Sequence, residues 1–168
     1  MDIRRSIGPA GIVLLAWLAC MPMAATATSD QQAADFALKS LEGRNVRLSE
    51  LRGNVVMVNF WTSRCGVCRQ QAEALQALYS RHAQDGLRLL SVNFDSDPQR
   101  AREFVAAAGI EFPVLLDERR DVSRMYRVRS IPVLVIIDRD GQLRYRHDDY
   151  RAGREREYQV QLQELLEE

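Results

Sequence analysis

Cys65 and Cys68, in the run Cys65-Gly66-Val67-Cys68, are the side chains of this 168-residue chain best suited to covalent chemistry. Thiols three positions apart close a small disulfide ring when the first turn of a helix holds them together. A helix N-terminus favours negative charge, so a thiol placed there ionises more readily than a free one, whose pKa is about 8.5. Arg64 and Arg69 flank the pair and add positive charge. The chemistry implied is thiol–disulfide exchange. Cys65, at the first helical position, is the expected nucleophile. Cys68, one turn further in, is expected to be more buried and to resolve the mixed disulfide.

That chemistry needs a strand to end, and a helix to begin, at the motif. Val55-Val56-Met57-Val58-Asn59-Phe60-Trp61 reads as a buried strand, and Gln70 to about His82 continues a helix. Leu87–Asn93 reads as a second strand. Asp97-Pro98 starts a helix, with aspartate as cap and proline at the first helical position, that runs to Gly109. Pro113–Leu116 is a short apolar segment and Val122–Tyr126 a short helix. Ile131–Ile137 is the next strand, and Asp138-Arg139-Asp140-Gly141 turns it into Gln142–Arg146. A charged amphipathic helix, about Arg154 to Leu166, follows. Ahead of all these, Asp35–Lys39 and Asn45–Leu48 flank a glycine turn and read as a hairpin, and Ser49–Gly53 as one helical turn. Strand–helix alternation that gives way to a hairpin points to an α/β fold, a mixed central sheet with helices on both faces.

The first residues read differently. Arg4 and Arg5 precede the apolar run Gly11–Ala19, and Ala25-Thr26-Ala27 offers the small residues a signal peptidase needs. The expected organisation is a signal peptide over 1–27, a polar linker over 28–34 and one folded domain over 35–168. Retention as an uncleaved membrane anchor, or lipid attachment at Cys20, are the rival readings. Cleavage takes Asp2, Arg4 and Arg5 out of 23 basic and 23 acidic groups, leaving 21 and 22, a net charge near −1. A balance of that kind argues against a general nucleic-acid binder. Cleavage also removes Cys20, so Cys65 and Cys68 become the only cysteines. A structural disulfide usually staples distant segments, and a loop this short gains little stability from closure, so redox use explains the pair better.

Val-Asn-Phe-Trp before the cysteine pair, Ile131-Pro132 before an apolar strand, and Ile137-Asp138-Arg139-Asp140-Gly141 after it resemble the thioredoxin superfamily. More narrowly, they resemble the TlpA/ResA-like thiol:disulfide oxidoreductases of bacterial envelopes. The Asp-Phe-x-Leu-x-x-Leu-x-Gly opening and Phe112-Pro113-Val114-Leu115-Leu116-Asp117 fit too, and the likeness covers about residues 34–147. It implies a thioredoxin-like fold with an N-terminal hairpin extension and a strand–helix insertion. It implies a cis peptide bond at Pro132 beside the active-site disulfide, with Ile131 presenting its backbone to an extended substrate. Trp61, Arg64, Gly66 and Val67 complete the expected substrate-facing set. No cofactor beyond the Cys65–Cys68 disulfide is implied. The expected partners are protein thiols or disulfides and a membrane electron donor, in the periplasm or cell envelope.

Several positions depart from the usual pattern. Arg64 stands where relatives have tryptophan, Val67 where they have proline, Gln71 where many have glutamate and Glu73 where they have proline. The dipeptide between the cysteines tunes redox poise, so the potential cannot be carried over. Asn59 occupies the place of a buried acid in cytoplasmic thioredoxins and reads as a hydrogen-bonded core amide. Arg127 and Arg129 read as solvated. His82 and His147 lie far from the motif and are too few to complete a zinc site with the two cysteines. Reduction of protein disulfides is the expected direction. The alternatives are a disulfide oxidase or isomerase, a thiol peroxidase (Thr62-x-x-Cys65 is similar to a peroxiredoxin loop, with Val58 in place of its proline) and a Cu(I)-binding module.

Overall fold

The computed structural model of the protein describes residues 31–168, so the signal-peptide, anchor and Cys20 readings lie outside the described residues. The strands are β1 (Gln31–Gln32), β2 (Ala37–Ser40), β3 (Asn45–Arg47), β4 (Val55–Trp61), β5 (Leu87–Asn93), β6 (Val114–Leu116), β7 (Val133–Ile137) and β8 (Gln142–His147). The helices are α1 (Gly66–His82), α2 (Pro98–Ala108), α3 (Asp121–Met125) and α4 (Arg154–Glu167), and Leu48–Leu51 forms one 3-10 turn.

All eight strands join one sheet in the order β1-β8-β7-β4-β5-β6-β2-β3. β4, β5 and β6 run parallel and the other pairings are antiparallel. Every residue of β4 is buried, as a run apolar at all positions but Asn59 requires of a central strand covered on both faces. Alternation along the strand divides the core. Val56, Val58 and Phe60 pack with Phe36, Leu48, Val122 and Tyr126 on one face. Val55 and Met57 pack with Leu75, Leu78, Tyr158, Leu162 and Leu165, from α1 and α4, on the other.

Local chemistry sets the element ends. The Asp97 carboxylate accepts from Gln99 N at 3.0 Å to cap α2, with Pro98 in the first turn and Gly109 closing it in the left-handed region at φ 61°. The β7–β8 turn is held by Asp138 Oδ1, which accepts from Asp140 N at 3.1 Å and Gln142 N at 2.8 Å. The expected strand at Ile131 begins two residues later, at Val133, because Pro132 has no N–H to give to a ladder.

Two long-range pairings differ from the sequence reading. Gln31 and Gln32, assigned there to the linker, add a two-residue edge strand to β8, and Ala33 N donates to Gly141 O at 3.0 Å. The β2–β3 hairpin forms as expected, and the structure adds the partner that the sequence reading did not give it. β2 pairs with β6, so the hairpin becomes the opposite edge of the sheet.

Candidate active site

β4 runs to Trp61 in the sheet, and the chain then turns through Thr62–Arg64 into α1. Cys65 and Cys68 are joined by a disulfide, with Cα atoms 5.3 Å apart. Helical geometry starts at Gly66, so Cys65 is the N-cap and not the first helical residue expected from sequence. Its Sγ accepts from Cys68 N at 3.2 Å, which directs a helix-terminal N–H at the sulfur. Cys65 is partly exposed, whereas Cys68 is only 3% exposed. That asymmetry is what an attacking and a resolving thiol require. α1 continues unbroken to His82 through Glu73, where relatives carry proline.

Below the pair lies a closed set of neutral polar groups. Gln71, one turn after Cys68, is fully buried. Its Oε1 accepts from Asn59 Nδ2 at 2.6 Å and its Nε2 donates to Tyr158 Oη at 3.1 Å. Ser91 Oγ completes the set by donating to Asn59 Oδ1 at 3.3 Å. Asn59 is therefore a satisfied core amide. Burial pushes the Tyr158 hydroxyl up to about 12, so it stays neutral. No member of the set is charged.

Trp61 is 2% exposed and stacks on Phe104 of α2, ring centroids 4.3 Å apart, in the same cluster as Cys68, Ala72 and Ala101. Its Nε1 has no hydrogen-bond partner among the described residues. The tryptophan supports the disulfide from beneath and presents little surface to a substrate. Ile131 packs against this cluster, and its bond to Pro132 is cis, as the resemblance implies. Arg64 and Gly66 are exposed and Val67 partly so, packing towards the α1–α4 side of the core.

One residue the sequence reading missed ties the motif to the rest of the fold. Asp95, in the loop after β5, accepts from Ser63 N at 2.8 Å and from Asn93 Nδ2 at 2.9 Å. It holds the loop that delivers Cys65. Asn93-x-Asp95 at a strand end is the only local signal, since an Asn in that place turns the chain by accepting from the N–H two residues on, here at 3.1 Å.

Other sequence candidates lie elsewhere. Arg127 and Arg129 are exposed and line a cleft between β1 and the loop before β7; neither cysteine borders it. His82 pairs with Asp85 at 3.1 Å, and His147 with Gln161 at 2.8 Å. Among the described residues no three His, Cys, Asp or Glu side chains are grouped to hold a metal ion. No described helix is long and apolar enough to cross a membrane.

A mixed sheet of this order, with an oxidisable cysteine pair where its central strand passes into its first long helix, defines a class: the thioredoxin-like thiol-disulfide oxidoreductases. The chain belongs to the AhpC/TSA family, whose model matches residues 29–146. It is 30% identical over 117 residues to the thiol-disulfide oxidoreductase ResA of Halalkalibacterium halodurans, covering 70% of this chain and 66% of ResA, just under two thirds of that relative. It is 29% identical to the sporulation thiol-disulfide oxidoreductase A of Bacillus subtilis, covering 79% and 82% of the two chains. Among solved structures it resembles a candidate thiol:disulfide interchange protein DsbE from Chlorobium tepidum, with TM-score 0.78, 31% identity and coverage of 82% and 96%.

Proposed function

We propose that the protein reduces disulfides of other proteins in the bacterial cell envelope, using Cys65 as nucleophile and Cys68 as resolving thiol. The observation that carries this reading is the unequal burial of the two cysteines across one helix N-terminus. In the reduced protein the Cys65 thiolate attacks one sulfur of a substrate disulfide, forming a mixed disulfide and releasing the first substrate thiolate, which takes a proton from solvent. Cys68 loses its proton and attacks Cys65 Sγ, forming the Cys65–Cys68 disulfide and releasing the second substrate thiol. Two electrons pass to the substrate, with one proton from Cys68 and one from solvent. A membrane donor then returns two electrons to the protein's disulfide.

Ile131, before the cis bond at Pro132, lies against the cluster that contains the pair and offers backbone groups to an extended substrate. The envelope placement rests on Arg4, Arg5, the apolar run Gly11–Ala19 and the small residues to Ala27.

Equilibration with glutathione tests the direction. A reductase should sit nearer the thioredoxin value of about −270 mV than the DsbA value of about −120 mV, and a potential above about −150 mV would reverse the assignment. Cys65→Ser should abolish insulin reduction. Cys68→Ser should accumulate mixed disulfides, whose mass-spectrometric identification names the clients.

A further inference from the structure

Two adjoining clefts open beside the loop that delivers Cys65, and both are lined by arginine. Thr62, Arg64, Asp95, Arg100 and Arg120 line one; Ser63, Arg69, Arg100, Glu103 and Phe104 line the other. Arg100 belongs to both, so four exposed arginines border a strip of adjoining clefts that neither cysteine lines but that begins at Thr62–Arg64, the residues immediately before Cys65. From this strip we infer that the protein prefers substrates whose target disulfide lies beside an acidic segment. The inference rests on the dithiol reading above and adds to it the chemistry of the partner.

The arginines are not neutralised by their surroundings. Among the described residues, Arg64, Arg69 and Arg120 have no carboxylate partner, and Arg100 has only a long contact of 3.9 Å with Asp97. Two acids, Asp95 and Glu103, share the strip with the four arginines and leave it net positive. Asp95 is buried and takes up the Ser63 and Asn93 donors, and Glu103 accepts from Gln99 at 3.4 Å. Beyond the strip, Asp117 is held by Val122 N, Ser123 N and Ser123 Oγ, and Asp121 pairs with Arg119 at 3.1 Å and Arg124 at 2.6 Å. Glu118 is exposed but lines neither cleft.

Two of the guanidinium groups are pre-positioned. The Arg69 guanidinium lies 4.8 Å from the centre of the Phe104 ring and that of Arg120 lies 5.2 Å from Phe94. A guanidinium held over a ring is restrained by the cation–π attraction while its N–H donors stay available to a carboxylate. Arg120 is brought there by its own backbone: it sits in the left-handed region at φ 58°, and its N–H donates to Asp117 O at 2.8 Å. The N-terminus of α1 adds positive potential of the same sign.

The flank beyond Ile131 contrasts with this. There Asp148 is paired with Arg146 at 2.7 Å, and Asp149 with Arg154 at 2.6 Å and Arg151 at 3.3 Å. The acids on that side are taken up within the fold, and of its arginines Arg127 and Arg129 are left without a carboxylate among the described residues; the strip at Thr62–Arg64 differs in lying directly beside the loop that delivers Cys65.

The test uses three peptides with one internal disulfide each, identical except that Glu, Gln or Lys flanks the cysteines. The reduced protein's rate with each is normalised to the rate with dithiothreitol, which removes the effect of flanking charge on the peptide's own thiols. The Glu peptide should be reduced faster than the Lys peptide by on the order of tenfold at about 0.01 M salt, with the ratio falling to about twofold or less near 1 M. In the double variant Arg100→Gln, Arg120→Gln the Glu-to-Lys ratio should drop several-fold. Equal normalised rates for the three peptides overturn the inference while leaving the dithiol reading intact. A ratio unchanged in the double variant also overturns it. Failure to reduce any peptide, or the neutral hydroxyethyl disulfide, overturns both.

Discussion

The two sides of the Cys65–Cys68 disulfide are built from opposite materials. The outer side is bordered by exposed arginines, Arg64, Arg69, Arg100 and Arg120. The inner side is the buried neutral set of Gln71, Asn59, Tyr158 and Ser91. Desolvation explains the division. A buried charge costs several kcal/mol unless it is paired, so the interior here carries amides and hydroxyls whose hydrogen bonds are complete. A guanidinium at the surface keeps its water and so carries its charge at little cost. Stabilisation of the proposed Cys65 thiolate is thus assigned to the rim and the helix terminus, since the inner set holds no carboxylate among the described residues.

The sharpest way to break this comparison is to ask whether the two thiols differ. In the reduced protein, iodoacetamide should alkylate Cys65 faster than Cys68 by on the order of 100-fold, read by peptide mapping of a time course. Equal rates would mean that the inner side is open to solvent.

Placing a charge in the inner set comes next. Gln71→Glu puts a carboxyl at a fully buried position, and desolvation raises its pKa above the ordinary value of about 4.3. A raised folded-state pKa contributes stability at pH below the unfolded value and loses it as pH rises. A shift of about two units would cost about 2.7 kcal/mol by pH 8. Urea midpoints at pH 4 and pH 8 should diverge in the variant far more than in the parent; parallel behaviour would show that the site tolerates charge. Gln71→Leu, which leaves Asn59 Nδ2 and Tyr158 Oη without their partner, should cost about 2 kcal/mol at both pH values.

Tyr158 gives a smaller, alkaline test. Its pKa is pushed up to about 12, mainly by burial, against an ordinary 10.0. The unfolded chain therefore ionises first, and stability falls as pH climbs from about 10 towards 12. Tyr158→Phe should flatten part of that decline in a pH series of melting curves. The smallest effect belongs to the rim. Arg64→Gln should raise the Cys65 pKa by only a few tenths of a unit, because the charge it removes is solvated and screened. A thiolate absorbance titration at low and high salt would detect it, with the difference shrinking in salt.

Element types, the helix starts at the motif and at Asp97-Pro98, the β7–β8 turn and the position of the cysteine pair were all legible in the sequence. Each rests on residues within a few positions of one another: apolar alternation, a cap, a proline, a glycine. The sequence reading could also say that Asn59 is no acid and that Arg64 and Val67 are unusual neighbours for the pair. What it could not reach was partnership across the chain. Gln71 meets Tyr158 over 87 positions, Ser63 meets Asp95 over 32, and the hairpin joins the sheet at β6. Nothing in the sequence marks Tyr158 out from the other residues of α4, or Arg100 and Arg120 from the other arginines. Whether a polar side chain is a buried partner or a surface charge depends on which elements pack against it, and that is set by the core as a whole. The sequence by itself determined the dithiol and the strand and helix that hold it; the tertiary structure alone decided that it stands between a cationic rim and an uncharged interior.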